Sequence, residues 1–107
     1  MDVLWSPHAD ILLDDIVIGI AEALSVDDGL RWEGELRTAA TSLGDFPYMG
    51  SVIPPECFHV VPDNPDRLRQ TFCGPYRIVY EPVDGEIHIL SIRHGRMLVA
   101  EDDATWN

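Results

Sequence analysis

Lysine is missing from this chain, and that absence sets the first limit on its activity. All seven basic residues are arginines, set against nineteen acids for a net charge of −12. Nucleic-acid phosphates repel a protein of that sign, which argues against generic nucleic-acid binding. Cysteine is scarce as well. Cys57 and Cys73 are the only two, too few for a disulfide framework, so a reduced cytoplasmic protein is expected. No apolar run approaches the roughly 20 residues that span a bilayer, so no membrane association is expected. Met1-Asp2 lacks the basic stretch of a secretory signal, and none is expected. Neither an internal repeat nor a low-complexity segment is visible, and 107 residues should form one domain over 1–107.

What charge there is has an uneven distribution. Residues 1–66 hold thirteen acids against Arg31 and Arg37, a balance of −11. Residues 67–96 hold Arg67, Arg69, Arg77, Arg93 and Arg96 against Glu81, Asp84 and Glu86, a balance of +2. Glu101, Asp102 and Asp103 make the tail negative again. Any positive patch is therefore built of arginine on the C-terminal strands, where bidentate recognition of phosphate or carboxylate is possible.

Val3-Leu4-Trp5 reads as a first short strand. Ser6-Pro7 then has the form of a helix N-cap followed by proline at the first helical position. From His8 to about Leu24 the positions Ala9, Leu13, Ile16, Val17, Ile20 and Leu24 keep helical spacing. Ile11, Leu12 and Ile18 are apolar too, which predicts cover on more than one side of this helix. Ser25 to Asp28 offers a second cap, and a second helix is predicted from about Asp27 to Leu43, with Trp32, Leu36, Ala39, Ala40 and Leu43 on one face. The short connection makes the pair an αα-hairpin. Gly44 and Pro47 end it.

Residues 47–65 contain Pro47, Pro54, Pro55, Pro62 and Pro65 and show no period. His59 to Val61 could form a very short strand, and a loop of this length in a small domain suggests function or partner contact. Strands are predicted from Arg67 to Phe72, Tyr76 to Glu81 and Ile87 to Arg93. Gly74-Pro75 and Asp84-Gly85 are the turns between them, the latter a strong hairpin signal. The order is β-α-α-β-β-β. This predicts an α+β fold, with an antiparallel meander carrying the N-terminal helical hairpin on one face.

Four stretches carry a resemblance that spans nearly the whole chain. They are Trp5-Ser6-Pro7 with Ala9, Leu43-Gly-Asp-Phe-Pro-Tyr-Met-Gly50, Gly74-Pro-Tyr-Arg-Ile-Val-Tyr80 and Ile92-Arg-His-Gly-Arg96. Together they resemble the RelE/ParE superfamily of toxins from type II toxin–antitoxin modules, in its ParE-like branch more than RelE itself. The resemblance implies a growth-inhibiting toxin held inactive by a cognate antitoxin, with no cofactor and no metal. In ParE-like members the target is DNA gyrase. In RelE-like members the toxin cleaves mRNA on the ribosome, so an endoribonuclease is the alternative.

Under that alternative the catalytic residues implied are Arg69, Arg77, His94 and Arg96. Arg77 would stabilise charge building on the scissile phosphate, and His94 would serve as general acid or base. The plainer readings are that Arg77 orders the sheet and that Arg69, Arg67 and His94 are solvated. Strand periodicity places Arg67, Arg69 and Thr71 on one face, and likewise Arg77, Val79 and Glu81. This chain has Met97 where RNA-cleaving members carry a further basic residue, and Ser51 where ParE-like members often have arginine. Cys57, His59, Cys73, His88 and His94 show no zinc spacing. Trp5, Trp32, Tyr76 and Tyr80 read as packing residues rather than a base-stacking platform. The tail from Met97 to Asn107 either folds back so that its carboxylates cover the arginines or frays. The binding-toxin reading makes the helix pair and the 47–66 loop the contact surface, and the protein's acidity predicts a neutral or basic binding segment on the antitoxin.

Overall fold

Ser6 marks where the first strand becomes helix. The computed structural model describes residues 1–107, beginning with strand β1 (Asp2–Trp5) and helix α1 (Pro7–Ala23). The Ser6 hydroxyl accepts from the Ala9 amide at 3.0 Å and donates to the Leu90 carbonyl at 3.2 Å. One buried side chain thus caps α1 and ties it to the sheet. Helix α2 (Val26–Ser42) starts at Ser25, whose hydroxyl accepts from the Asp28 amide at 3.1 Å. The hydrogen bond from the Ser25 hydroxyl to the Asp28 carboxylate, aided by Arg31, holds that carboxyl below its usual range. The helices pack closely at Gly29, where an added Cβ would lie 2.9 Å from the Val17 carbonyl oxygen.

The expected elements appear in order, with one addition. A two-residue strand, β2 (Ser51–Val52), forms within the irregular loop. Strands β3 (Arg69–Cys73), β4 (Tyr76–Val83) and β5 (Glu86–His94) follow. Arg67 does not begin β3 as its alternation predicts. Pro65–Arg67 is a 3-10 turn, because proline fixes φ and lacks the amide that a ladder needs. The β4–β5 hairpin turns at Asp84 and Gly85, both at positive φ (49° and 81°), as a two-residue turn matched to strand twist requires.

The five-stranded sheet runs β1-β5-β4-β3-β2. Its C-terminal strands form the expected antiparallel meander, but β1 pairs parallel with β5, Val3 opposite Ile87 and Trp5 opposite Ile89. The helix pair carries the chain from β1 to the opposite edge of the sheet, from which β2 to β5 lead back to it. Along β4–β5, Val79 faces Ser91 while Tyr80 faces Ile89. Leu90 is therefore an extra residue, a β-bulge that changes the phase of β5.

That phase change lets the sheet serve two cores. Ile78, Tyr80, Ile87, Ile89 and Ile92 pack against α1 and α2 through Ala9, Leu13, Leu36, Ala40 and Leu43. On the opposite face Val79 and Leu90 meet Ile53, Phe58, Leu68 and Val99. The proline-rich segment is thus partly a lid on the second face, a role without periodicity in sequence. Trp5, Trp32 and Tyr76 pack against the helix-side core, as expected of packing residues. His59 to Val61 forms no strand; instead Phe58 makes a parallel bridge to Val99.

The expectation that α1 is covered on more than one side holds at Leu12, which is buried, and fails at Ile11 and Ile18. Ile11 and Ile18 are 60% and 55% exposed, because only the face bearing Ala9, Leu12 and Leu13 meets the sheet and α2. No helix is long and apolar enough to cross a membrane.

Candidate functional site

The arginines of the C-terminal strands occupy both faces of the sheet. Arg77 is buried. Its Nε donates to Gln70 Oε1 at 2.9 Å, Nη1 to the Met97 carbonyl at 2.7 Å and Nη2 to the Gly95 carbonyl at 3.2 Å. Its guanidinium also lies 5.5 Å from the Phe72 ring centre. The two Nη atoms fasten the chain after β5 to the sheet, and Nε ties Arg77 to Gln70 on β3. Arg93, opposite Arg77 in register, donates from Nε to Asp103 at 2.7 Å.

Arg69 lies across from Tyr80, whereas Arg77 lies across from Phe72. Residues 69 and 72 differ by an odd number, so strand alternation puts Arg69 on the helix-side face and Arg77 on the other. His94 is opposite Tyr76 and packs edge-on against its ring at 6.1 Å, again on the helix side. Its Nδ1 accepts from the Arg96 amide at 3.2 Å, and the Arg96 side chain is exposed. Arg69 and His94 are then separated by about 13 Å along the strands and about 10 Å across them. The four residues of the hydrolytic alternative are not gathered around a single point. Arg67, expected beside Arg69, instead pairs with Glu81 at 3.1 Å on the opposite face.

Arg69 differs from the other strand arginines. Its Nε is buried without a hydrogen-bond partner, it forms no ion pair, and its guanidinium lies 5.1 Å from the Tyr48 ring centre. Tyr48 belongs to a short loop rich in exposed apolar side chains. Phe46, Tyr48, Met49 and Val52 are 63%, 68%, 54% and 46% exposed. The loop is nonetheless held firmly: the Tyr80 hydroxyl donates to the Pro47 carbonyl at 2.9 Å and accepts from the Gly50 amide at 3.0 Å. Burial pushes the Tyr80 phenol up from its ordinary value. Aromatic, Met and Arg side chains presented together on an anchored loop are the composition of a protein-docking patch. A second exposed apolar set lies on the helix pair, at Ile11, Ile18, Leu24, Val26 and Leu30, among the acids Asp14, Asp15 and Glu22.

Cys73 packs against the helix-side core and Cys57 against the other, so the two thiols are on opposite faces of the sheet. Burial, reinforced by Glu35, pushes the Cys73 thiol up. No group of three His, Cys, Asp or Glu side chains is disposed to hold a metal ion.

The tail folds back. Asp103 is 2% exposed and takes Arg93 Nε at 2.7 Å and His8 Nε2 at 2.8 Å. The Asp103 carbonyl accepts from the Ser91 hydroxyl at 2.9 Å, and the Asn107 carbonyl accepts from the His8 amide at 2.8 Å. Asp103 is one of the tail carboxylates expected to fold back over the arginines, and it does so at Arg93; His8 and Tyr48 are not singled out by the sequence. Tyr48 sits within a quoted stretch, but no spacing links Asp103 to a histidine 95 residues away.

The family model for the ParE toxin of type II toxin-antitoxin system, parDE, matches residues 3–99. A solved structure, the chromosomal ParDE TA system from P. aeruginosa, matches with a TM-score of 0.71 at 21% sequence identity, over 88% of this chain and 95% of that one. At that identity the likeness speaks for the fold. No curated protein sequence matches the chain. A match from β1 through the buried Val99, on a two-helix hairpin and five-stranded sheet, makes this chain a member of the ParE toxin family of type II toxin–antitoxin systems.

Proposed function

We propose that this ParE-family toxin stops growth by binding DNA gyrase in the cytoplasm, and that a cognate antitoxin neutralises it by covering part of the same surface. The observation that carries the reading is the exposed apolar patch from Phe46 to Val52 with the unpaired Arg69 behind it. Isolated surface hydrophobics need no explanation, but a rigidly anchored group of them is suited to a protein partner. Arg77 supports the same reading, since its guanidinium is buried and three of its five N–H donors are committed to two carbonyls and an amide.

The test is to express the toxin without antitoxin and follow gyrase and mRNA in the same cells. Trapped gyrase–DNA cleavage complexes with intact mRNA are expected. A Tyr48→Ala, Met49→Ala variant should weaken gyrase inhibition on the order of tenfold or more while remaining folded, since both side chains are exposed and centrally placed aromatic anchors dominate docking energies. Ribosome-dependent mRNA cuts with gyrase unaffected would instead support the endoribonuclease alternative, and substitution of Arg69, Arg77, His94 and Arg96 would then be the next step.

A further inference from the structure

The second face of the sheet carries a cleft whose far wall lies outside the family match, which ends at residue 99. Its two walls leave from one hydrogen-bonded junction. The His59 amide donates to the Val99 carbonyl at 2.9 Å and the Val99 amide to the Cys57 carbonyl at 2.8 Å. From there one strand of chain runs through Val60, Val61 and Pro62, and the other runs into the 3-10 turn Glu101–Ala104. Between them is a space of about 460 Å³. Leu68 and Ala104 are among its apolar lining residues, Val60 and Val61 stand 59% and 48% exposed along it, and its carboxylates are Asp63, Glu81 and Glu101. Glu81 is neutralised by Arg67 at 3.1 Å. Asp63 and Glu101 have no cation within ion-pair distance. The cleft is thus concave, apolar along its wall and negative at its rim, in a protein whose overall field already attracts cations.

We propose that this cleft binds an extended segment of a partner protein that carries arginine or lysine between aliphatic side chains. The aliphatic groups lie along Val60, Val61 and Leu68, and the cationic groups meet Asp63 and Glu101. Asp103 acts as a positioning residue. Fixed by Arg93 and His8, it holds the Glu101–Ala104 wall opposite Val60. The proposal is independent of the gyrase reading, because it concerns binding by the isolated toxin at a surface separate from Tyr48 and Arg69.

The experiment uses the full chain and a synthetic capped pentapeptide alternating valine with arginine and lysine. Binding is followed by titration calorimetry and by backbone amide NMR shifts. The expected result is binding that weakens with salt, with shifts concentrated at residues 60–64 and 101–105. Asp63→Lys combined with Glu101→Lys should weaken it on the order of tenfold and abolish its salt dependence. Both positions are exposed, so this variant should remain folded. Asp103→Asn should weaken binding several-fold with the salt dependence retained, since the rim charges are still present. A peptide with serine in place of valine should bind on the order of tenfold more weakly. No binding, unchanged affinity in the charge-reversed variant, shifts confined to the helix pair, or equal binding of the serine peptide would each overturn the proposal. The last of these would show only general attraction of cations to an acidic chain.

Discussion

At the scale of single residues, two buried polar side chains hold the surfaces that matter. The Tyr80 hydroxyl ties the Pro47–Gly50 loop to the sheet by two hydrogen bonds. Tyr80→Phe leaves the Pro47 carbonyl and the Gly50 amide without that partner and should cost about 1–3 kcal/mol, measured by urea unfolding. The phenol adds a pH signature. Its folded pKa is raised above the ordinary tyrosine value of 10.0, chiefly by burial, so the native state keeps this proton longer than the unfolded chain does. The stability it contributes is full below pH 10 and is lost as pH rises through the raised folded value. The parent protein should therefore lose stability more steeply above pH 10 than Tyr80→Phe does, and parallel slopes would contradict this assignment. Arg77 is the second case. Arg77→Ala strands the Met97 and Gly95 carbonyls and Gln70 together, and about 2–4 kcal/mol should be lost, with faster amide exchange over residues 95–99. Protection unchanged there would mean that Arg77 does not secure the segment after β5.

At the scale of elements, the helix hairpin makes opposite predictions at two glycines. Replacing a helical glycine by alanine normally gains about 1 kcal/mol. At Gly34 nothing lies within 4 Å of the added Cβ, so Gly34→Ala should stabilise by about 0.5–1 kcal/mol. At Gly29 the Cβ would meet the Val17 carbonyl at 2.9 Å and Ala21 Cβ at 3.2 Å. Gly29→Ala should force the helices apart and cost about 1–2 kcal/mol despite its better propensity. A matched pair of thermal melts reads both, and a stabilised Gly29→Ala would show that α1 and α2 are packed more loosely than the structure has them. The same hairpin was legible in the sequence. Ser6, Pro7 and Ser25 are local signals with local consequences, and the Leu36, Ala40 and Leu43 spacing needed no partner to be read. Strand faces on β4 were legible for the same reason. What failed to show was everything set by distant partners. The parallel seating of β1 beside β5, the Leu90 bulge and the second core under Phe58 and Val99 each depend on residues far apart in sequence. The candidate site divides likewise. The arginines were visible, but the opposed faces of Arg69 and Arg77 follow from the register of β3 against β4.

At the scale of the whole molecule, charge and exposed apolar surface act together. A net charge of −12 lies mostly on the first 66 residues, and the helix pair there presents Ile11 and Ile18 among Asp14, Asp15 and Glu22. An apolar strip bordered by carboxylates selects for a partner that is apolar in the middle and neutral or basic at its edges. The toxin-binding segment of the proposed antitoxin should meet that description. Its association should then be steered by the toxin's field, an effect that salt screens over a Debye length of about 10 Å at 0.1 M. Raising the ionic strength from about 0.05 M to about 0.5 M should slow association on the order of tenfold. Dissociation should change much less, because it is set by the desolvated apolar contacts. Stopped-flow measurement of both rates separates the two terms. An association rate that rises with salt would mean that like charges face each other across the interface. The acidity of the chain would then serve solubility rather than recognition, and the apolar strip on α1 would have to select its partner by shape alone.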